Sequence, residues 1–174
     1  MENAVVGILG VVFGILLSNA ATVVLDLRRR RERIKDVQTS LRAEMRSHWH
    51  RLDPQDLRDR AGVIVMRMQE AAEKGEAFTP LIPREDQASI FDAMVRELHI
   101  LPNDVIDPVV LYYTHLKSIS HFVDDLRSDR FATLEASRKV EMYQDYILMK
   151  EQAHGLATEA IRAVDDALAS GRTQ

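Results

Sequence analysis

The sequence has no cysteine among its 174 residues, and aromatic residues make up only 6% of it. Without cysteine the chain forms no disulfide, no cysteine-ligated iron–sulfur cluster and no cysteine nucleophile. The patterns GxxxxGK[ST], GxGxxG, GxSxG and HExxH are absent as well, which removes the common phosphate-binding and hydrolytic motifs. We therefore expect a protein that is not an enzyme and that binds no cofactor.

Charge is absent from one long segment. Val5 to Leu25 is a run of 21 uncharged residues, and Arg28 to Lys35 then carries six basic residues and one acid. As a helix the run is about 30 Å long, which matches the hydrocarbon core of a bilayer. Basic residues after the span place the C-terminal side in the cytoplasm and the N-terminus outside, whereas a cleaved signal peptide has the opposite charge order. The sequence predicts a single-pass protein of the inner (cytoplasmic) membrane.

A basic collar follows the span. Its side chains are expected to fix the topology and to contact anionic lipid headgroups, at about 1 kcal/mol per charge. The collar consists of Arg28, Arg29, Arg30, Arg31, Arg33 and Lys35. Because the whole chain has a formal net charge of −4, the region beyond the collar is acidic. No nucleic-acid partner is expected, since such binding needs basic residues spread over a folded face.

Small residues recur along the span at helical spacing. They allow helix backbones to approach closely in lipid, and an asparagine adds a hydrogen-bonding group. These span-packing residues are Gly7, Gly10, Gly14, Ser18, Asn19 and Thr22. They favour association of the span with a second copy of itself or with another membrane protein, and the pattern does not choose between the two.

The remaining chain shows helical periodicity and no strand alternation. Ile34, Val37, Leu41, Met45 and Leu52 step by threes and fours, which predicts an apolar stripe on one helix. Because no proline or glycine lies between the span and this stripe, the two are expected to form one rod from about Ala4 to Leu52, roughly 70 Å long. We predict an all-α protein in which one N-terminal transmembrane helix runs into a cytoplasmic bundle of about five helices.

Proline and glycine mark the predicted starts and ends of these helices. Asp53-Pro54 predicts an N-cap and a first helical residue, and Gly75 a helix end. A loop is expected at 79–83, a helix with Ile90, Phe91, Met94, Val95 and Leu98 inward, a restart at Asp107-Pro108, and a last helix over 133–170. The predicted organisation is an anchor at 1–27, the collar at 28–35, a helical domain at 36–170 and a frayed tail at 171–174.

One resemblance covers about 30 residues. Phe91 to Leu98, then Ile100-Leu101-Pro102, then Val109 through Tyr112-Tyr113 and Leu116, resembles a pattern in uncharacterised bacterial single-pass membrane proteins with a helical cytoplasmic domain. The resemblance implies that same architecture. Those proteins have no assigned activity, so it implies no functional residue.

Aromatic residues and histidines are the candidates for contacts in the predicted domain. Trp49 is expected either to fill the core or to contact a protein partner. Tyr112-Tyr113 predicts one core ring and one exposed ring, with Tyr112 as a possible partner contact. The spacings of Glu44 with His48 and of Glu151 with His154 are compatible with metal binding, but the further ligands that such a site needs are missing, so no metal is expected.

These features lead to two functional hypotheses. The first is a membrane-tethered helical interaction protein, acting as an adapter, scaffold or accessory subunit of a bacterial inner-membrane assembly. Its bundle would bind a protein partner. The alternative is a self-assembling homo-oligomeric membrane protein, such as a small pore or a lysis-type device.

Overall fold

The chain folds as an all-α helical bundle with 85% of its residues in helices. The structure, a computed structural model, describes residues 2–84 and 88–171, and for residues 2–21 it describes the backbone only. No strand occurs within these ranges. The helices are α1 (Glu2–Arg51), α2 (Pro54–Glu73), α3 (Ser89–Met94), a 3-10 helix (Val95–Ile100), α4 (Asn103–Leu126), α5 (Asp129–Ala132) and α6 (Ala136–Ser170).

Helix α1 confirms the predicted rod, because it runs without interruption from Glu2 to Arg51. The N-cap of α2 is confirmed as well: the Asp53 side chain accepts a hydrogen bond from the Asp56 amide at 3.0 Å, and Pro54 is the first helical residue. Gly75 follows the end of α2 with φ of +67°, a left-handed conformation that favours glycine. Local chain chemistry therefore determines both ends of α2.

Two apolar clusters share α4 and α6 as a common spine. The first joins α1 to the start of α4 and the C-terminal half of α6, and the second joins α2 to the rest of α4 and α6. Small residues form the face of α6 that packs in the first cluster, namely Ala157, Ala160, Val164 and Ala167. Such residues let neighbouring helices pack closely, so α1 is fixed to one end of the spine and α2 to the other.

Two predicted helix boundaries are wrong. Helix α4 begins at Asn103, and Pro108 lies inside it, so the chain does not restart at Asp107-Pro108. The 3-10 helix ends at Ile100, and Pro102 is the N-cap residue of α4. Pro108 costs α4 only one backbone hydrogen bond near its N-terminus. The helix predicted around Phe91 changes to 3-10 geometry at Val95, which leaves Val95 exposed rather than inward.

The predicted membrane span falls mostly outside the described side chains. Val5 to Leu25 shares only its last four residues with them, and the predicted tail shares only Gly171. Across the part of the chain searched, no helix combines the length and the apolar character needed to cross a bilayer.

Candidate interaction surface

Trp49 lies on a groove between α1 and α6, which we call the Trp49 groove. The groove has a volume of about 500 Å³ and is lined by Arg46, Trp49, His50, Thr158, Ile161, Arg162 and Asp165. The indole is half-buried and packs against the first apolar cluster. Trp49 is therefore neither a fully buried core residue nor a freely exposed side chain.

Neighbouring side chains fix the orientation of the indole. Its Nε1 donates a hydrogen bond to Thr158 Oγ1 at 2.9 Å. The ring stacks on His154 with a centroid distance of 4.9 Å and meets His50 edge-on at 5.1 Å. A rigid aromatic side chain held in this way loses little conformational freedom on binding, which is why such residues dominate many protein interfaces.

Two ion pairs between α1 and α6 lie at the border of the groove. Arg42 and Arg46 of α1 each donate a hydrogen bond at 2.9 Å, one to each carboxylate oxygen of Asp165 on α6. Burial acts to raise the pKa of Asp165, but the hydrogen bonds and charges of the two arginines outweigh it and hold that pKa below its usual value. The carboxylate therefore stays ionised at neutral pH and holds α1 and α6 together.

The groove combines apolar and basic chemistry. Trp49 and Ile161 provide apolar surface, and Arg162 is an exposed cation on the same groove. Arg46 and Asp165 are already paired with each other. This arrangement suits a protein segment that places an apolar or aromatic side chain against Trp49 and a carboxylate near Arg162.

A buried polar network lies on the side of α1 that faces α3 and α4. The Glu44 carboxylate accepts hydrogen bonds from the amides of Ile90 and Phe91 at 2.7 and 3.0 Å, and from Tyr113 Oη at 2.8 Å. Ala88, the N-cap residue of α3, makes no side-chain capping bond. Glu44 therefore caps α3 from another helix and has a structural role.

Tyr112 and Tyr113 are both buried, so the predicted exposed ring is wrong. Tyr112 is 0% exposed and lies 3.0 Å from His48 through Oη and Nδ1. Phe91 stacks on Tyr113 with a centroid distance of 4.0 Å. Consecutive residues of α4 contact Glu44 and His48, which are one turn apart on α1, so both rings face inward. The side chain of Tyr112 is therefore inaccessible to a partner in this structure.

The collar side chains are all exposed on α1. Within the described part of the chain, Arg33 is the one collar residue that contacts the rest of the bundle, and it donates two hydrogen bonds of 2.6 Å to Glu97. The Arg33 hydrogen bond lowers the pKa of Glu97. Of the predicted span-packing residues, Thr22 is described and exposed, whereas Gly7, Gly10, Gly14, Ser18 and Asn19 lie outside the described side chains.

The histidine–carboxylate pairs make other contacts. Glu151 accepts two hydrogen bonds from Arg58 at 2.7 and 2.9 Å, and His154 stacks on Trp49. Among the residues searched, no group of three or more histidine, aspartate or glutamate side chains is placed to hold a metal ion.

Sequence reasoning missed the residues that join the helices through polar contacts. Glu44 is 46 residues from Ile90, and Arg42 is 123 residues from Asp165. No short-range spacing connects such positions. The one available signal was the presence of charged side chains beside the predicted apolar stripe of α1.

Comparison of the chain with protein-family models, with curated proteins and with solved structures finds no match. The resemblance around Phe91 to Leu116 therefore stays a prediction, and the function rests on the chain's own residues.

Proposed function

We propose that this protein is a membrane-tethered helical adapter, whose N-terminal segment anchors it in the inner membrane and whose bundle binds a protein partner in the cytoplasm. The continuity of α1 carries this proposal. One helix contains the apolar run of the sequence, the exposed collar and the apolar stripe that enters the bundle. An anchor joined to the bundle by one continuous helix would fix the position of the bundle relative to the membrane.

The exposed part of α1 supports the anchor. Val23, Val24, Leu25 and Leu27 are each more than half exposed, although large apolar side chains in adjacent positions are normally covered. Lipid would cover Val23, Val24 and Leu25, because these residues end the uncharged run that extends without a break from Val5 to Leu25. The collar that follows matches the headgroup layer and favours a cytoplasmic bundle.

The mechanism of such an adapter is localisation. Confinement to the membrane plane raises the effective concentration of the bundle toward partners in the same membrane. The Trp49 groove is the proposed contact, because it offers an oriented indole next to an exposed arginine. The partner segment would carry an apolar or aromatic side chain together with a carboxylate.

Photocrosslinking in living cells tests this proposal. A photoreactive amino acid replaces Arg162 in the groove, and a matched variant carries it at Arg138, which is exposed on the same helix outside the groove. We expect a discrete adduct with another protein at position 162 that is absent at position 138 and lost in the Trp49→Ala background. Adducts of equal yield at both positions would contradict the groove as the contact.

The same experiment addresses the self-assembling alternative. An adduct with a second copy of this chain would favour the homo-oligomeric membrane protein. In that case Gly10→Ile with Gly14→Ile is expected to abolish the adduct, since larger side chains keep the spans apart.

A further inference from the structure

A second groove lies on α6 beyond the Trp49 groove. It has a volume of about 280 Å³, and α2 and α6 form its two walls. We call it the Leu148 groove, and its lining includes Gly62 and Val65 of α2 and Ile147, Leu148 and Glu151 of α6. Leu148 is 53% exposed, so this groove presents a large apolar side chain at the surface.

The two grooves lie along the same face of α6. Leu148, Glu151, Gly155, Thr158 and Arg162 step by threes and fours, which places them in one line on the helix. The first two line the Leu148 groove, and the last two line the Trp49 groove. All of them are exposed except Glu151, which is half-buried. The grooves are therefore two parts of one seam, which we call the α6 seam.

Two glycines leave the α6 seam open to a close approach from outside. Gly155 lies between the two grooves, and Gly62 lies in the wall of the Leu148 groove. Within the described part of the chain, a Cβ atom added at either position would meet no atom of another element within 4 Å. The packing of the bundle therefore does not require glycine there, although glycine is a poor helix former. A segment from outside the chain that lies close to both helices would account for them.

The backbone of the α6 seam determines what kind of segment fits. The seam follows the middle of α6, where amides and carbonyls are paired within the helix. It therefore offers no free backbone groups to an extended strand, whereas an α-helix pairs its own backbone groups and needs only side-chain contacts. From Leu148 to Arg162 the seam covers 14 residues, which is about 21 Å or about four helical turns. These dimensions match a short amphipathic helix.

We propose that the α6 seam binds an amphipathic helix of the protein partner. This inference rests on the proposed role of the Trp49 groove and adds a second contact to it. One turn of the bound helix places an apolar side chain against Trp49 and Ile161, with a carboxylate near the exposed Arg162. About three turns along the same helix, a second apolar side chain contacts Leu148 and Ile147.

Photocrosslinking from two positions of the full-length protein in living cells tests this helix. A photoreactive amino acid replaces Arg162 in one protein and Leu148 in another, and mass spectrometry identifies the joined peptides. We expect both positions to join one segment of the same partner at sites about 14 residues apart, because a helix advances 1.5 Å per residue. An extended segment would cover the same distance in about six residues.

The variant Gly155→Leu fills the α6 seam and removes no contact of the bundle. The space beside Gly155 is open, and leucine favours a helix more than glycine does, so circular dichroism should show a folded protein with a raised Tm. The adducts from both positions are expected to fall about tenfold, because the added side chain overpacks the contact. The control Ser118→Leu adds the same side chain at an exposed position of α4 outside both grooves and should leave both adducts unchanged.

Several results would overturn the inference. Position 148 could give no adduct, could join a second copy of this chain, or could join the partner about six residues from the site joined by position 162. Unchanged adducts in folded Gly155→Leu protein would contradict it as well. An adduct at position 162 without one at position 148 would remove the bound helix and leave the Trp49 groove in place. No adduct at position 162 would contradict the proposed function itself, and the α6 seam with it.

Discussion

The two described parts of α1 share one helix and have opposite surroundings. From Thr22 to Arg33 every residue is exposed, whereas from Ile34 onward every third or fourth residue is buried. We call these parts the outer segment (22–33) and the inner segment (34–51). Ile34, Val37, Leu41 and Met45 of the inner segment are all at most 1% exposed.

This contrast shows that helix formation and bundle packing are separate properties of α1. The outer segment carries exposed apolar and basic side chains, and its described contact with the rest of the bundle is that of Arg33 with Glu97. The inner segment supplies apolar contacts, a cap for α3 and ion pairs to α6. The stability of the bundle should therefore respond to changes in the inner segment and barely respond to matched changes in the outer one.

The largest expected difference comes from truncating one leucine in each segment. Leu41→Ala removes a fully buried side chain, and such changes cost about 2–5 kcal/mol in the free energy of unfolding. Leu27→Ala removes a side chain that is 52% exposed and should change the same quantity by less than about 0.5 kcal/mol. Urea denaturation of both variants in detergent measures the two values. Equal costs would remove the distinction between the segments.

Alkaline unfolding should report the contact of the inner segment with α4. Burial raises the pKa of Tyr112 and of Tyr113 above the usual range, and the hydrogen bond to Glu44 raises that of Tyr113 further. Stability from the neutral phenols is complete below about pH 10 and is lost above it. Above that pH, the two tyrosines together lower the free energy of unfolding by about 3 kcal/mol per pH unit. Tyrosinate absorbance should rise together with loss of helical circular dichroism. Ionisation of both tyrosines in an intact bundle would contradict this contact.

A smaller effect is expected from the cap that the inner segment provides. Glu44→Gln replaces a carboxylate that accepts three hydrogen bonds by an amide with a single acceptor oxygen. One buried donor then lacks an acceptor, at about 1–3 kcal/mol. Glu32→Gln, on the exposed outer segment, is the matched control and should be neutral within about 0.5 kcal/mol. Similar urea midpoints for the two variants would argue against the capping role.

The smallest predicted change in the free energy of unfolding is a stabilisation. Gln38 is 2% exposed, and its Nε2 has no hydrogen-bond partner within the described part of the chain. Gln38→Met keeps the length of the side chain and removes the buried amide, so it should stabilise the bundle by about 1 kcal/mol. Thr39→Met, at an exposed neighbouring position, controls for added hydrophobicity. A destabilised Gln38→Met protein, measured in the same urea titration, would mean that the amide has a partner.

Local signals in the sequence were sufficient for much of the fold. The stripe of Ile34, Val37, Leu41 and Met45 predicted the buried face of α1, and Asp53-Pro54 predicted the start of α2. Both depend on residues within one or two turns of each other. Pro108 misled the prediction of α4, because a proline at the first helical turn and one slightly further inside look alike in a sequence.

The candidate site was less predictable for a physical reason. Trp49 was recognised as a single residue, but its contacts with His154 and Thr158 join residues more than 100 positions apart. The exposed ring predicted at Tyr112-Tyr113 assumed one covered face of α4, whereas α1 contacts both rings and Phe91 of α3 stacks on Tyr113. Periodicity gives the inward face of a helix, and it does not give the number of helices that surround that face.

Cysteine labelling in spheroplasts tests the tethered bundle most directly. The chain has no native cysteine, so Asn3→Cys and Ser170→Cys each introduce a single thiol on either side of the predicted span. With a membrane-impermeant maleimide, we predict labelling of position 3 in intact spheroplasts and labelling of position 170 only after lysis, with both proteins retained in the membrane pellet after a high-salt wash. Labelling of position 170 in intact spheroplasts, or recovery of the protein in the supernatant, would contradict the proposed anchor and its orientation.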